Sequence, residues 1–148
     1  MNCSQEAHDL FQDMEIRGIK PDVITYTVLL DEGLKQFYYG PRKGKDAKYN
    51  VLTIWGDMKQ MRISPDVVTY TVMIDGHMKI HNLENAIIFF KEMIALRLEP
   101  DIVTYTALVS GLLKGGYTEN AVMKEITPPL HIISKLERQI IKFRKVNF

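Results

Sequence analysis

Residues 64–71 read SPDVVTYT, and nearly the same eight residues occur twice more, as KPDVITYT at 20–27 and EPDIVTYT at 99–106. The second and third blocks start 35 positions apart, at residues 64 and 99, and the first and second start 44 apart, at residues 20 and 64. Self-similarity at a period of about 20–50 residues is typical of repeat architectures. The chain is therefore expected to be an array of similar units.

The similarity extends to both sides of these blocks. Upstream, the stretches AHDLFQDMEIRGIKPD from Ala7, VLTIWGDMKQMRISPD from Val51 and AIIFFKEMIALRLEPD from Ala86 align without gaps. Downstream, DEGLK at 31–35, DGHMK at 75–79 and SGLLK at 110–114 occupy equivalent positions. Chance similarities would not share one register, so these stretches are copies of one unit.

Each copy has the pattern of two short helices. Asp66 is a residue type that caps helix N-termini, and Pro100 ends the second helical pattern. The predicted apolar stripes comprise Tyr70, Met73, Ile74, His77 and Met78 in the first helix, and Leu83, Ala86, Ile87, Phe90, Met93 and Ile94 in the second. Because two short helices cannot bury both stripes alone, successive pairs must stack. The predicted fold is all-α, an α-solenoid of stacked antiparallel helix pairs.

Composition excludes several classes of protein. The 148 residues are 46% apolar and 25% charged, and the net charge of +1 provides no general attraction to nucleic acid or to a membrane surface. The longest purely apolar run, residues 86–90, is much shorter than the roughly 20 residues of a spanning helix. Cys3, the one cysteine, cannot form an internal disulfide or a Cys-based zinc site. Residues 1–30 also lack the basic excess of a targeting peptide.

The 35-residue period, the PD-[VI]-x-TYT block and the A-x6-M spacing in the second helix resemble pentatricopeptide repeats. The resemblance covers residue 7 to about residue 129. It implies binding of single-stranded RNA, with about one base read per repeat by two or three side chains. Because members of this family act mostly on transcripts of mitochondria or chloroplasts, it also implies a role in organellar RNA processing or stability.

The motifs of catalysis are not found in the sequence. It contains no zinc-deaminase signature, no phosphate-binding loop and no nucleophile motif. We therefore expect no enzyme activity, no cofactor and no bound metal. The expected partner of the chain, as a monomer, is single-stranded RNA rather than a membrane or a small-molecule substrate.

The resemblance divides the chain at the ends of the copies. Residues 1–22 are the second helix of an incomplete repeat, 23–66 a repeat with an inter-helix insertion at 36–47, 67–101 a complete repeat, 102–129 a shortened repeat, and 130–148 a C-terminal capping helix. These irregularities indicate a fragment of a longer array. Two alternatives stay open, a helical scaffold for protein–protein interaction and a decayed copy without activity.

The resemblance also assigns base-reading residues. A polar residue early in the first helix and the last residue of the same repeat read one base, which pairs Thr27 with Asp66 and Thr71 with Asp101. Threonine with aspartate is the family's combination for guanine, whose Watson–Crick edge offers N–H donors to a carboxylate that only accepts. Uracil also offers one donor, so the threonine hydroxyl must supply the remaining preference. The two repeats are therefore expected to read a G–G step.

Further positions follow from the same alignment. Asp22 closes the incomplete first repeat, and Thr106 opens the third, where Pro129 replaces the closing aspartate and is expected to leave Thr106 without a reading partner. The residues that would lie between neighbouring bases are Ile24, Val68 and Val103, and those that would contact phosphate are Lys35, Lys79 and Lys114. Without the resemblance, the aspartates would be helix caps, the branched apolar residues core, and the lysines solvated surface.

The last segment, residues 131–148, has the pattern of one basic helix. Its predicted apolar stripe comprises Ile133, Leu136, Ile140 and Phe143. Two roles remain open for this helix, which either covers the end of the solenoid or also contacts RNA phosphates.

Overall fold

The structure is a computed structural model that describes residues 3–39 and 51–147, without the side chains of residues 3–5, 37–39 and 147. Within these ranges the chain forms eight α-helices and no β-strand. They are α1 (Cys3–Ile16), α2 (Val23–Tyr39), α3 (Val51–Gln60), α4 (Val67–Lys79), α5 (Leu83–Ala95), α6 (Ile102–Lys114), α7 (Glu119–Ile126) and α8 (Leu130–Asn147). The all-α prediction is confirmed.

The helices that begin in the TYT blocks lie in one row. Helix α2 packs against α4, α4 against α6, and α6 against α8. The second helices pack against this row, with α1 and α3 on α2, α5 on α4 and α6, and α7 on α6. Stacked helix pairs of this kind form an α-solenoid, as predicted.

An edge-on aromatic contact joins three of the second helices, α1, α3 and α5, to the first helix of the next unit. Phe11 meets Tyr26 with ring centroids 5.7 Å apart, and Phe90 meets Tyr105 at 6.0 Å. Trp55 meets Tyr70 at 5.3 Å in the middle unit. Aromatic pairs favour this tilted geometry because the positive ring edge faces the negative ring face. The tyrosine of each block therefore fixes the position of one unit on the previous one.

The predicted stripes form most of the core. All five residues of the first stripe in α4 are buried, and in α5 the side chains of Ala86, Phe90 and Met93 are buried. Ile94 differs from the prediction, because 47% of its surface is exposed. Phe89 is buried instead, since its ring lies edge-on to Trp55 with centroids 5.1 Å apart.

The same turn ends three of the second helices. Gly18, Arg62 and Arg97 hold equivalent positions, each four residues before an aspartate, and have the left-handed φ values 69°, 56° and 58°. In each turn, a backbone N–H one residue later bonds a helix carbonyl, as between Leu98 and Met93 at 3.1 Å. This arrangement satisfies carbonyls at the helix end. Because the turn is the same in all three units, each Pro-Asp block connects to the next first helix in the same way.

The irregular copies differ from the regular one in helix length. Helix α2 continues to Tyr39, so residues 36–39 of the expected insertion are helical, while residues 40–47 lie outside the described residues. Helix α7 has 8 residues, whereas α5, its counterpart in the complete repeat, has 13. None of the described helices is long and apolar enough to cross a lipid bilayer.

Candidate nucleic-acid interface

The aspartates of the repeated block cap the first helices. The Asp66 Oδ1 atom accepts hydrogen bonds from the backbone N–H and the hydroxyl of Thr69, both at 2.9 Å. Asp101 accepts the same two bonds from Thr104, at 2.9 and 3.0 Å. Among the described residues, no hydrogen bond reaches the second carboxylate oxygen of Asp66 or Asp101, and both residues are exposed. Each aspartate therefore caps its helix with one oxygen and presents the other to solvent.

A buried threonine joins the two members of each expected reading pair. The Thr27 hydroxyl lies 2.8 Å from the hydroxyl of Thr69, which in turn donates to Asp66. Thr27 and Asp66 belong to neighbouring units and both bond the same hydroxyl, whose residue is fully buried. The structure thus brings this pair together through Thr69.

The second pair repeats the arrangement with nearly the same distances. The Thr71 and Thr104 hydroxyls lie 2.7 Å apart, and the Thr104 hydroxyl donates to Asp101 at 3.0 Å. The Thr71 hydroxyl also lies 2.7 Å from the carbonyl oxygen of Val67, four residues earlier, so its single proton is shared between this carbonyl and Thr104. A hydroxyl held from two sides has few accessible rotamers. Each reading threonine is therefore fixed in position before any ligand arrives.

Sequence reasoning did not single out Thr69 and Thr104. The signal was present, because the first threonine of TYT occurs in all three blocks. The role of this threonine depends on the distance between neighbouring first helices. The repeat pattern gives no information on that distance.

The first and third copies lack part of this arrangement. Asp22 caps α2 through the backbone N–H and hydroxyl of Thr25, which lower the pKa of its carboxyl group. Thr106 donates to the carbonyl of Ile102 at 2.7 Å, like its counterparts. No threonine–aspartate pair follows Thr106, because α8 lies beside α6 at this end of the row.

The three branched apolar residues lie on the surface. Ile24, Val68 and Val103 are 69%, 60% and 60% exposed. Each directly precedes the threonine that bonds the capping aspartate. The alternative that these residues form the core is therefore wrong, and their side chains are accessible beside the reading pairs.

The three lysines have different surroundings. Lys35 pairs with Asp31 at 2.5 Å and with Glu32 at 3.1 Å, and these carboxylates raise the pKa of its ammonium group. Lys79 pairs with Asp75 at 2.5 Å. In the third copy Ser110 replaces this aspartate, and the Lys114 ammonium lies 6.0 Å from the centroid of the Phe143 ring. Within the described ranges, Lys114 has no acidic neighbour at ion-pair distance.

The sequence matches the PPR repeat family over residues 1–33 and 65–114. Two solved structures of the pentatricopeptide repeat protein PPR10, each in complex with an 18-nt psaJ RNA element, resemble the fold with a TM-score of 0.66 and 22% sequence identity. The similarity covers 93% of this chain and 18% of the PPR10 chain, so the chain spans less than a fifth of that protein. No curated protein sequence gives a significant match.

Proposed function

The chain belongs to the PPR repeat family, and from this premise we propose that it binds single-stranded RNA in a sequence-specific manner, one base per complete repeat. The two reading pairs are Thr27 with Asp66 and Thr71 with Asp101, and the sequence that they select is a G–G step. The proposal also includes the organellar role that the family resemblance implies, in the processing or stability of mitochondrial or chloroplast transcripts.

The observation that carries this proposal is the free carboxylate oxygen beside a fixed threonine. In each pair one aspartate oxygen accepts hydrogen bonds from the next buried threonine, and the other oxygen faces solvent. An ionised carboxylate is only an acceptor, so it matches the N1–H and N2–H₂ donors of guanine and repels the N1 lone pair of adenine. The exposed Val68 and Val103 beside these pairs provide apolar surface for the faces of the bases.

The expected affinity is low. Stacking and reading contribute about 1–3 kcal/mol per base, so two repeats supply roughly 2–6 kcal/mol, whereas association costs on the order of 4–15 kcal/mol. The net charge of +1 also limits the release of counterions from the strand. Binding by two repeats is therefore expected in the high micromolar range, and useful affinity requires more repeats.

The test is a titration of fluorescently labelled single strands at fixed salt, with a GG step or an AA step in an otherwise identical oligouridine. The wild-type chain is expected to prefer GG. Asp66→Asn and Asp101→Asn replace the acceptor oxygen by an amide while asparagine still caps a helix as well as aspartate does. Since a hydrogen bond to a charged group contributes about 1.5–3 kcal/mol, each variant should bind GG about ten-fold to a hundred-fold more weakly.

The matched control is Glu84→Gln, which removes the same charge from an exposed position in α5. Its affinity for the GG strand should equal that of the wild type. Equal binding of the GG and AA strands by the wild type would refute the guanine assignment. If neither strand binds at any accessible concentration, the proposal of RNA binding by this chain fails as a whole.

A further inference from the structure

A cavity of about 270 Å³ lies between α6 and α8. Thr106 and Ser110 line it from α6, and Gln139, Lys142, Phe143 and Val146 line it from α8. Its walls are mostly apolar, with a hydroxyl pair on one side and an amide and an ammonium group on the other. The sequence predicted α8 as a cap over the end of the solenoid, and burial of Leu136 and Ile140 agrees with that role. The cavity lies beside these buried residues.

The cavity continues the row of reading pairs. Thr106 follows Asp101 by the same five positions that separate Thr27 from Asp22 and Thr71 from Asp66. Its hydroxyl lies 2.7 Å from the carbonyl oxygen four residues earlier, as those of Thr27 and Thr71 do. Helix α8 packs against α6 and is the next helix of the row after α4 and α6. The cavity is therefore the place where a third reading pair would lie.

The groups around Thr106 differ from those of the other two pairs. Gln139 carries a side-chain amide, which both donates and accepts hydrogen bonds, whereas an aspartate only accepts. The amide can serve donors and acceptors alike on the edge of a base, so it does not select guanine. The Phe143 ring offers a surface on which any base can stack, because every base has a π-face.

Within the part of the chain that the structure describes, no acidic side chain pairs with the two lysines at the cavity. Lys142 lines the cavity and is exposed, and the Lys114 ammonium lies 6.0 Å from the Phe143 ring centroid. Ser110 stands where the other two copies have Asp31 and Asp75, which pair with the equivalent lysines. An aromatic ring with one cation near it and a second cation on the same cavity matches a base together with its phosphate.

We propose that α6 and α8 together form a third nucleotide site, which accepts a ribonucleotide with any base next to the G–G step. Phe143 stacks on the base, Thr106 and Gln139 bond its edge, and Lys142 binds its phosphate. This inference rests on the proposed function, since the nucleotide belongs to the same RNA strand that the two complete repeats read.

The experiment uses the full chain and short labelled strands that contain GG alone, or GG extended by one nucleotide on either side. A stacked base contributes about 1–3 kcal/mol, so one of the two extensions should strengthen binding about five-fold or more, with all four bases. Phe143→Leu keeps an apolar side chain but removes the ring, and it should abolish this gain while leaving the affinity for GG alone unchanged.

Salt dependence gives an independent measurement. Each phosphate neutralised on a single strand contributes about 0.7 to the slope of log K against log salt concentration. Lys142→Gln should therefore reduce the slope for the extended strand by about 0.7. Lys124→Gln is the matched control, because Lys124 is an exposed lysine of α7 outside the cavity, and it should leave the slope unchanged.

The outcomes separate this site from the function on which it rests. If the wild type binds GG but neither extension strengthens binding, or if Lys142→Gln behaves like Lys124→Gln, the third site is refuted and the reading of the G–G step stands. If the wild type binds none of the strands, RNA binding itself is refuted, and the third site with it.

Discussion

The hydroxyl of Thr27 lies 2.8 Å from the hydroxyl of Thr69, although 42 residues separate them in the chain. Thr69 also donates to the N-capping carboxylate of Asp66. One buried hydroxyl thus serves as a helix-cap donor within its own unit and as a partner for the preceding unit. The cap and the expected base-reading pair are parts of the same hydrogen-bond network.

Thr69→Val should change base preference more than Thr69→Ser does. Valine has nearly the shape of threonine but no hydroxyl, so it releases Thr27 and leaves the Asp66 carboxylate bonded only to the backbone N–H of residue 69, whereas serine keeps the hydroxyl. We expect the preference for GG over UU strands to fall several-fold in the valine variant and to be retained in the serine variant. The measurement is the ratio of dissociation constants for the two strands.

A change in folding stability alone would lower the affinity for both strands equally, so the ratio distinguishes positioning from stability. An unchanged ratio in Thr69→Val would show that the network does not position the reading pair.

Lys114→Gln should reduce salt dependence of RNA binding more than Lys79→Gln does. Lys79 is paired with Asp75 at 2.5 Å, and this carboxylate already neutralises much of the positive charge of the lysine. Lys114 has Ser110 in place of that acid. A full phosphate contact on a single strand corresponds to a slope of about 0.7 in log K against log salt concentration.

We expect a loss near that value for Lys114→Gln and a smaller one for Lys79→Gln, measured by titration at several salt concentrations. Asp75→Asn is the complementary variant and should strengthen binding, because it removes a negative charge that pairs with Lys79. Equal slopes for both lysine variants would contradict the role assigned to the acid.

Gly111→Ala should destabilise the fold, and Gly56→Ala should not. A Cβ atom at Gly111 would lie 2.7 Å from the Cβ of Met78, closer than real side chains approach. Overpacking of this kind costs about 1–3 kcal/mol. A Cβ at Gly56 meets nothing within 4 Å, and alanine in a helix interior is more stable than glycine by roughly 0.5–1 kcal/mol.

Urea unfolding followed by circular dichroism measures both free energies. Opposite signs for the two substitutions are expected. A stable Gly111→Ala variant would mean that α4 and α6 separate without cost, contrary to the close packing described above.

Folding stability should decrease below about pH 6.5 because of His77. This side chain is buried, its Nδ1 atom lies 2.7 Å from the carbonyl oxygen of Met73, and burial lowers its pKa from the ordinary value of 6.5. The unfolded chain therefore takes up this proton at a higher pH than the folded chain does. The contribution of His77 to the free energy of unfolding is fully present above pH 6.5. It declines as the pH falls towards the folded-state pKa, by up to about 1.4 kcal/mol per pH unit.

The test compares unfolding free energies at pH 7 and pH 5. His77→Asn keeps an N–H donor near the position of Nδ1 but does not titrate, so it should show a smaller loss between these two pH values than the wild type. His81→Asn changes an exposed histidine and should keep the wild-type loss. Identical losses in all three proteins would assign the acid sensitivity to other groups.

Several features of the fold could be read from residues alone. The buried stripe of α4 followed from apolar spacing, and the capping of α4 and α6 followed from an aspartate before each helical pattern. These features are local, because helix periodicity and caps depend on residues within one or two turns. The departure at Ile94 arose where a residue from an earlier helix, Trp55, packs on Phe89 instead.

The sequence by itself determined that the chain is a row of repeated helix pairs, and it determined which residue types begin each pair. Only the tertiary structure decided that Thr69 and Thr104 connect Thr27 with Asp66 and Thr71 with Asp101, that Val68 and Val103 face solvent, and that α8 supplies Gln139 and Lys142 beside Thr106. The physical reason is distance along the chain. A period in the sequence encodes the shape of one unit, whereas a hydrogen bond between units depends on how closely two packed helices approach.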